Sequence, residues 1–161
     1  MRRRSTMPLV ICAMAAAACS GSSTGPSDVY GGIQYTATVS DIAGTQGTHQ
    51  FAVLVTLHNT TTTTQTRTYP SGCPIRIRLY RQADNRLVYD ETKITCTTTI
   101  PTTISLNPDE SKTLTSGIRF PSAVIGDSLP ATTYNVKAII QTEGTKVVEL
   151  TAGTYAFTGG V

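Results

Sequence analysis

The sequence predicts an all-β fold, an antiparallel sandwich or small barrel of about seven or eight short strands. Only 14% of the 161 residues are charged, while threonine, a residue common in exposed strands, is abundant. Apolar and polar side chains alternate along short segments, which glycine, proline, asparagine or aspartate residues separate. No segment keeps the apolar period of a helix for three turns, so helices are not expected.

The N-terminal segment resembles a bacterial export signal. Residues 2–4 are arginines, and Pro8–Ala18 is an apolar run of 11 residues. A transmembrane helix needs about 20 such residues, so this run is too short to span a bilayer. Ala16–Cys19 is similar to a lipobox, in which small residues precede a lipid-bearing cysteine. We therefore expect residues 1–18 to be a cleaved signal peptide and Cys19 to be lipidated.

The segment that follows is expected to tether a folded domain to a membrane. Residues 19–30 are rich in glycine and serine, which is typical of a flexible linker, and the domain is expected at 31–161. A lipoprotein cysteine carries more than one acyl chain, and this gives stable anchoring. The residue after the cysteine is Ser20 rather than an aspartate. In a cell with two membranes, the lack of aspartate there resembles the signal for sorting to the outer membrane. The alternative is an ordinary secretory signal cut after Ala18, which would release a soluble protein.

The charge balance argues against nucleic-acid binding. Three of the 13 basic residues lie in the expected signal, so ten basic and ten acidic residues remain after it. A mature chain with a net charge near zero offers neither a nucleic-acid footprint nor a polybasic membrane patch. The expected partners are therefore the membrane, through the lipid, and an envelope protein or proteinase.

Two cysteines remain after the signal and the lipid-bearing position, Cys73 and Cys96. In an oxidising compartment they are expected to pair as a structural disulfide. Closing a loop of about 24 residues would stabilise the fold by roughly 3 to 3.5 kcal/mol in the chain-entropy model. The chain has no Cys-x-x-Cys motif and only two histidines, so neither a zinc site nor a cofactor is expected.

The expected strands and turns follow the alternation of apolar side chains along the domain. The expected strand segments are Ile33–Val39, Phe51–Leu57, Ile75–Leu79, Leu87–Tyr89, Ile104–Leu106, Leu114–Phe120, Tyr134–Ile140, Lys146–Leu150 and Thr154–Phe157. The expected turns are Asp41–Gly47, Pro70–Gly72, Ala83–Asn85, Asn107–Glu110 and Glu143–Thr145. Two longer loops are expected at Thr60–Ser71 and Lys93–Thr103, joined at their bases if the cysteines pair.

The order of these motifs resembles the BsuPI family, which is named for an intracellular proteinase inhibitor of Bacillus. The resemblance covers roughly residues 50–157, and its motifs are Phe51–Asn59, Tyr69–Gly72, Ile75–Tyr80, Asn85–Tyr89, Leu106–Glu110 and Leu129–Val136. It implies an immunoglobulin-like antiparallel β-sandwich and, as an activity, proteinase inhibition. This chain differs from the family pattern in Asp109, in Ala131-Thr132 and in its lack of tryptophan, and no reactive-site residue carries over. Tyr134, after Leu-Pro, is similar to a tyrosine corner and is expected to be structural.

Candidate chemistry is sparse. His58 is the better of two possible catalytic bases, but no serine-histidine-aspartate order surrounds it, so we expect a solvent-facing strand histidine. An anion-binding or partner-binding face could be formed by four arginines, Arg76, Arg78, Arg81 and Arg86. The other interpretation is a solvated sheet face whose arginines pair across strands with Asp90 or Glu91.

The expected function is that of a non-catalytic binding module anchored in the bacterial envelope, facing the periplasm or the cell surface. A β-sandwich can offer a sheet edge or its end loops to protein partners. A proteinase inhibitor of the BsuPI type is the alternative. An enzyme is the least expected function, and it would show turnover that is lost in His58→Ala.

The lipid anchor can be tested directly. We expect Cys19→Ser to release the protein from washed membranes into the soluble fraction, because the variant lacks the acyl chains that hold it there. Fractionation followed by immunoblotting measures this. Retention of the variant in the membrane fraction would contradict the lipoprotein prediction.

Overall fold

The computed structural model describes residues 27–43, 49–96, 100–116, 131–142 and 146–157. The described ranges contain no α-helix, so none there is long and apolar enough to cross a membrane. The strands are β1 Ser27–Tyr30, β2 Ile33–Ala43, β3 His49–Asn59, β4 Gln65–Tyr69, β5 Ile75–Arg81, β6 Arg86–Asp90, β7 Thr102–Leu106, β8 Ser111–Thr115, β9 Thr132–Gln141 and β10 Val147–Phe157. A short 3-10 turn, Glu91–Lys93, follows β6. The predicted all-β class is confirmed.

The strands form two four-stranded antiparallel sheets and one two-stranded sheet. The strand orders are β1-β2-β3-β8, β10-β9-β5-β6 and β4-β7. In immunoglobulin nomenclature, β2, β3 and β8 correspond to A, B and E, while β10, β9, β5 and β6 correspond to G, F, C and C′. The fold is therefore the immunoglobulin-like β-sandwich that the sequence predicts, with more strands in the described residues than the seven or eight expected.

Alternation of side chains along the strands builds the core between the two larger sheets. Each of the long central strands turns every second side chain inward, and these side chains are almost fully buried. The inward side chains include Tyr35, Phe51, Val53, Val55, Leu57, Ile75, Ile77, Leu79, Tyr134, Val136, Ala138 and Ile140. The inward stripes expected in β2, β3, β5 and β9 are thereby confirmed, and Tyr134 is only 1% exposed.

Some element boundaries differ from the prediction. Strand β1 begins at Ser27, inside the expected linker, because it pairs with β2. Strand β2 continues through Ala43 into the expected turn, because residues 41–43 pair with residues 49–51. Cys19 and the signal peptide, together with Ile118 and Phe120 of an expected strand, lie outside the described residues.

Strand β4 was not expected, since Thr60–Ser71 was predicted as a loop. It carries no apolar stripe, and Tyr69 is its one fully buried side chain. Pairing with β7 forms it, and hydroxyl pairs join Thr66 to Ser105 at 2.9 Å and Thr68 to Thr103 at 3.1 Å. Near the C-terminus, the two predicted segments join into the single strand β10, with a register shift at Thr151/Gly153.

The predicted disulfide is present. Cys73 and Cys96 are bonded, with their Cα atoms 6.1 Å apart, and the bond closes a segment of sequence separation 23. That segment contains β5, β6 and the 3-10 turn. By loop entropy this closure stabilises the fold by roughly 3 kcal/mol.

A buried asparagine at the end of β3 connects three pieces of chain. Asn59 is 1% exposed, and its Nδ2 donates to the carbonyl oxygens of Thr63 at 2.8 Å, of Leu106 at 3.0 Å and of Asn107 at 3.0 Å. Its Oδ1 accepts from the backbone N–H of Thr61 at 2.9 Å and from the Thr61 hydroxyl at 2.8 Å. The amide therefore fixes both the loop that leads to β4 and the turn between β7 and β8.

Replacing this amide should weaken the fold. We expect Asn59→Ala to lower the free energy of unfolding by about 2–4 kcal/mol, because buried carbonyl groups would lose their donor. Thr60→Ala is the control, since it removes one exposed hydroxyl bond to Gly32 and should cost less than about 1 kcal/mol. Urea unfolding measures both. Equal costs for the two variants would contradict this role of Asn59.

Candidate functional site

The predicted arginine face lies on the outer side of the sheet that contains β5. Arg76 and Arg78 project from it two residues apart. The Nη1 of Arg76 donates to the carbonyl oxygens of Glu91 at 3.3 Å and Ile94 at 3.0 Å. Arg76 therefore fastens the segment after β6 onto β5, and this use of its guanidinium differs from capture of a soluble anion.

Arg78 is the centre of an ionic network on the same face. Its Nε lies 3.1 Å from Asp90 Oδ1, its Nη1 lies 2.9 Å from Glu149 Oε2, and Lys137 Nζ lies 2.6 Å from Glu149 Oε1. The ammonium of Lys137 also lies 5.2 Å from the ring centroid of Tyr80, within the range of a cation–π contact. Two cations and two carboxylates thus neutralise each other on this surface.

The pKa values of both carboxyls in this network are lowered. For Asp90, burial opposes ionisation, but hydrogen bonds from Thr92 and Arg78 outweigh it and bring the pKa below its ordinary value. For Glu149, the hydrogen bond from Lys137 lowers the pKa against the effect of burial, and the charges of Lys137 and Arg78 add to it. Both carboxylates are thereby held ionised.

The other two arginines lie at the β5–β6 hairpin. Arg81 makes a two-point contact with Asp84, at 2.9 Å from Nε and 2.5 Å from Nη2, and this pair lowers the pKa of the Asp84 carboxyl. Arg86 is exposed, and its backbone N–H donates to Asp84. Of the expected cross-strand pairs, only that between Arg78 and Asp90 is seen among the described residues, while Arg76 bonds backbone carbonyls and Arg81 pairs within the hairpin. Three of the four guanidiniums are thus engaged within the chain.

His58 lies between two side chains that the sequence did not connect to it. Its Nδ1 is 3.0 Å from the Ser111 hydroxyl, and its Nε2 is 3.5 Å from Asp109 Oδ1. Pairing of β3 with β8 places Ser111 opposite His58, and this pairing cannot be read from the sequence. The Asp109 side chain is 96% exposed, so this trio lacks the water-excluded setting in which such groups catalyse. It is an ordered polar contact on an open sheet surface.

Two further polar features are structural. The hydroxyls of Tyr35 and Tyr69 are buried beside Arg67, and burial raises the pKa of both phenols. Burial likewise raises the pKa of Tyr134. Within the described ranges, no group of three or more histidine, cysteine, aspartate or glutamate side chains is placed to hold a metal ion.

The most exposed apolar side chains lie at the disulfide end of the sandwich, the end where Ile75 pairs with Ile140 and where the Cys73–Cys96 bond lies. The exposed fractions there are 51% for Ile94, 73% for Ile100, 49% for Val147 and 57% for Val29. The Arg76 contact places Ile94 at this end, Val147 pairs with Gln141, and Lys146 lies over the ring of Tyr30, next to Val29. Ile100 lies two residues before Thr102, whose hydroxyl donates to the carbonyl oxygen of Ser71 at 3.5 Å, close in sequence to Cys73. Leu87, the other large exposed apolar side chain described, lies in the hairpin at the opposite end.

Three ties hold Ile94 and its neighbours against β5. These are the disulfide, the Arg76 bonds to two carbonyls, and the buried Glu91 carboxylate, which accepts from the backbone N–H of Ile77 at 2.9 Å. The exposed side chain of Ile94 therefore projects from braced backbone, which lowers the entropy cost of binding a partner.

The comparisons with known proteins identify no family. No protein-family profile matches the chain, and no curated protein matches it. One similar solved structure is a calcium-binding mutant of Bacteroides uniformis β-glucuronidase 2, at a TM-score of 0.41 and 16% identity, covering 76% of this chain and 13% of that one. Another is the Northeast Structural Genomics Consortium target SoR45, at a TM-score of 0.35 and 8% identity, covering 80% of this chain and 87% of that one. Likenesses at this level support no argument about function.

The ionic network makes a prediction about acid stability. Because the folded-state pKa values of Asp90 and Glu149 are lowered, the stability they contribute is present above their unfolded values of about 4. It is lost as the pH falls through the folded values. We expect Arg78→Met to flatten the loss of stability between about pH 5 and pH 2, measured by urea unfolding at each pH.

The exposed Arg86 at the hairpin is the matched control for this experiment. Arg86→Met removes the same charge and keeps the acid dependence of the wild type. If Arg78→Met leaves the slope of stability against pH unchanged, the ionic network does not cause the loss of stability at acid pH.

Proposed function

We propose that this chain is a bacterial envelope lipoprotein, anchored through Cys19, whose sandwich is a non-catalytic protein-binding module. The export signal, the lipobox-like residues before Cys19 and the glycine- and serine-rich tether support the location. The outer membrane is the proposed destination, since Ser20 follows the cysteine. We expect no binding to nucleic acid, because the net charge of the chain after the signal is near zero.

The observation that carries the binding role is the concentration of exposed aliphatic side chains at the disulfide end. Four of the five large exposed apolar side chains of the described residues lie there. Exposed apolar groups rimmed by polar residues are typical of interaction sites. The partner would cover Ile94, Ile100 and Val147, and burial of each side chain would contribute roughly 1 to 2 kcal/mol.

Proteinase inhibition is the second candidate, and the same end supports it. An inhibitor presents an extended segment that resists cleavage, and here Ile94 has an extended backbone two residues before the bonded Cys96. The resemblance to the BsuPI family points the same way. Stoichiometric loss of subtilisin-like activity on titration, with the chain remaining intact, would distinguish this function from general protein binding.

The binding role predicts where the partner touches the domain. A photo-crosslinking amino acid at Ile100 or Val147 should form adducts in intact cells, because these side chains would lie under the partner. The same amino acid at Leu87, at the opposite end, should form none. Immunoblotting of the tagged lipoprotein measures the adducts, and Ile94→Asp should reduce those formed from position 100 by about tenfold or more, through a buried charge.

Two outcomes of the crosslinking experiment would contradict the proposal. Adducts from Leu87 that equal those from Ile100 would show that contact does not depend on the disulfide end. Adducts from Ile100 that persist unchanged in Ile94→Asp would also contradict the proposal. Thermal unfolding of Ile94→Asp serves as the folding control, and the variant is expected to unfold near the wild-type temperature because Ile94 is exposed.

A further inference from the structure

The outer face of the β1-β2-β3-β8 sheet carries an ordered array of hydroxyl and amide groups. The strand registers align Ser27, Thr36, Thr56 and Thr113 in one row across all four strands. The next row contains Val29, Gln34, His58 and Ser111, and a third contains Thr38, Leu54 and Thr115. Adjacent groups lie about 5 Å apart across strands and about 7 Å apart along them.

No lysine, arginine, aspartate or glutamate occupies these eleven positions. At the margin of the face, the carboxylate of Asp109 lies beside His58. The outer face of the opposite sheet, in contrast, carries Arg76, Arg78, Lys137 and Glu149. Charge is therefore segregated between the two faces of one sandwich.

The side chains of the array are held in place by one another. Gln34 Nε2 donates to Ser27 Oγ at 3.3 Å, the hydroxyls of Thr56 and Thr113 lie 3.0 Å apart, and His58 Nδ1 lies 3.0 Å from Ser111 Oγ. In a pair of hydroxyls only one proton is used, so the second proton and the remaining lone pairs face solvent. The array thus presents pre-ordered donors and acceptors together, which reduces the entropy cost of binding.

We propose that this hydroxyl face binds an uncharged polysaccharide. A neutral glycan presents hydroxyls that donate and accept hydrogen bonds, as the face does. Its binding would leave no charged group buried without a partner. An anionic polymer would find no cation on these positions. A large apolar partner would meet only Val29 and Leu54. The face shares Val29 with the disulfide end, but Thr56 is not among the exposed apolar side chains of that end, so variants of Thr56 and of Ile94 test the two sites separately.

The test uses full-length lipoprotein purified in a polyoxyethylene detergent, which carries no sugar. Affinity electrophoresis is run in gels that contain a neutral soluble polysaccharide: dextran, a mixed-linkage β-glucan, xyloglucan or galactomannan. We expect at least one of them to retard the wild type. Thr56→Lys should weaken that retardation at least about tenfold, because it breaks the Thr113 contact and places a charge within the array.

Thr151→Lys is the matched control, an exposed threonine on the outer face of β10 in the opposite sheet. It should keep wild-type retardation, and urea unfolding should show that both variants are folded. Failure of all four polysaccharides to retard the wild type would overturn the proposal. An equal loss in Thr151→Lys, or stronger retardation by anionic alginate, would overturn it as well.

Discussion

The side-chain amide of Asn59 is the constraint on which the loop before β4 and the β7–β8 turn depend. A strand that ends inside a fold leaves backbone groups to be satisfied, and burial makes each unsatisfied group costly. Asn59 meets this requirement for two segments, the loop that leads to β4 and the β7–β8 turn. Its side chain bonds to Thr63, Leu106 and Asn107, and its backbone bonds to Asp109 and Glu110. The path into β4 and the β7–β8 turn are therefore set together, and the register that places Ser111 opposite His58 follows from that turn.

The second organising element is the set of ties that joins the segment after β6 to β5. The disulfide alone would join the two ends of the segment without determining the path of the backbone between them. Arg76 and the buried Glu91 carboxylate fix that path by bonding to backbone on both sides. The guanidinium of Arg76 holds Ile94 in position through the carbonyl oxygen of that residue. The position of this exposed apolar side chain thus depends on a polar contact.

The sequence was sufficient for the features that repeat. Alternation predicts the inward faces of β2, β3, β5 and β9, and the two remaining cysteines predict their bond, because both rules act locally or by elimination. It was insufficient where pairing decides the outcome. Strand β4 has no apolar stripe and exists because β7 lies beside it. The roles of Arg78, Ser111 and Asn59 likewise depend on residues 12 to 71 positions away, a separation no periodicity reveals.

The distribution of charge limits how this domain can recognise anything. On the β5-containing sheet, carboxylates lie within hydrogen-bond reach of Arg78 and Lys137, so a charged partner would have to displace these pairs. The opposite sheet offers no ionic groups at its outward positions. The two proposed sites therefore both rely on uncharged chemistry, which is apolar contact at the disulfide end and hydroxyl hydrogen bonding on the open face. Neither mode is screened by salt, so binding through either surface should persist at ionic strengths that abolish electrostatic association.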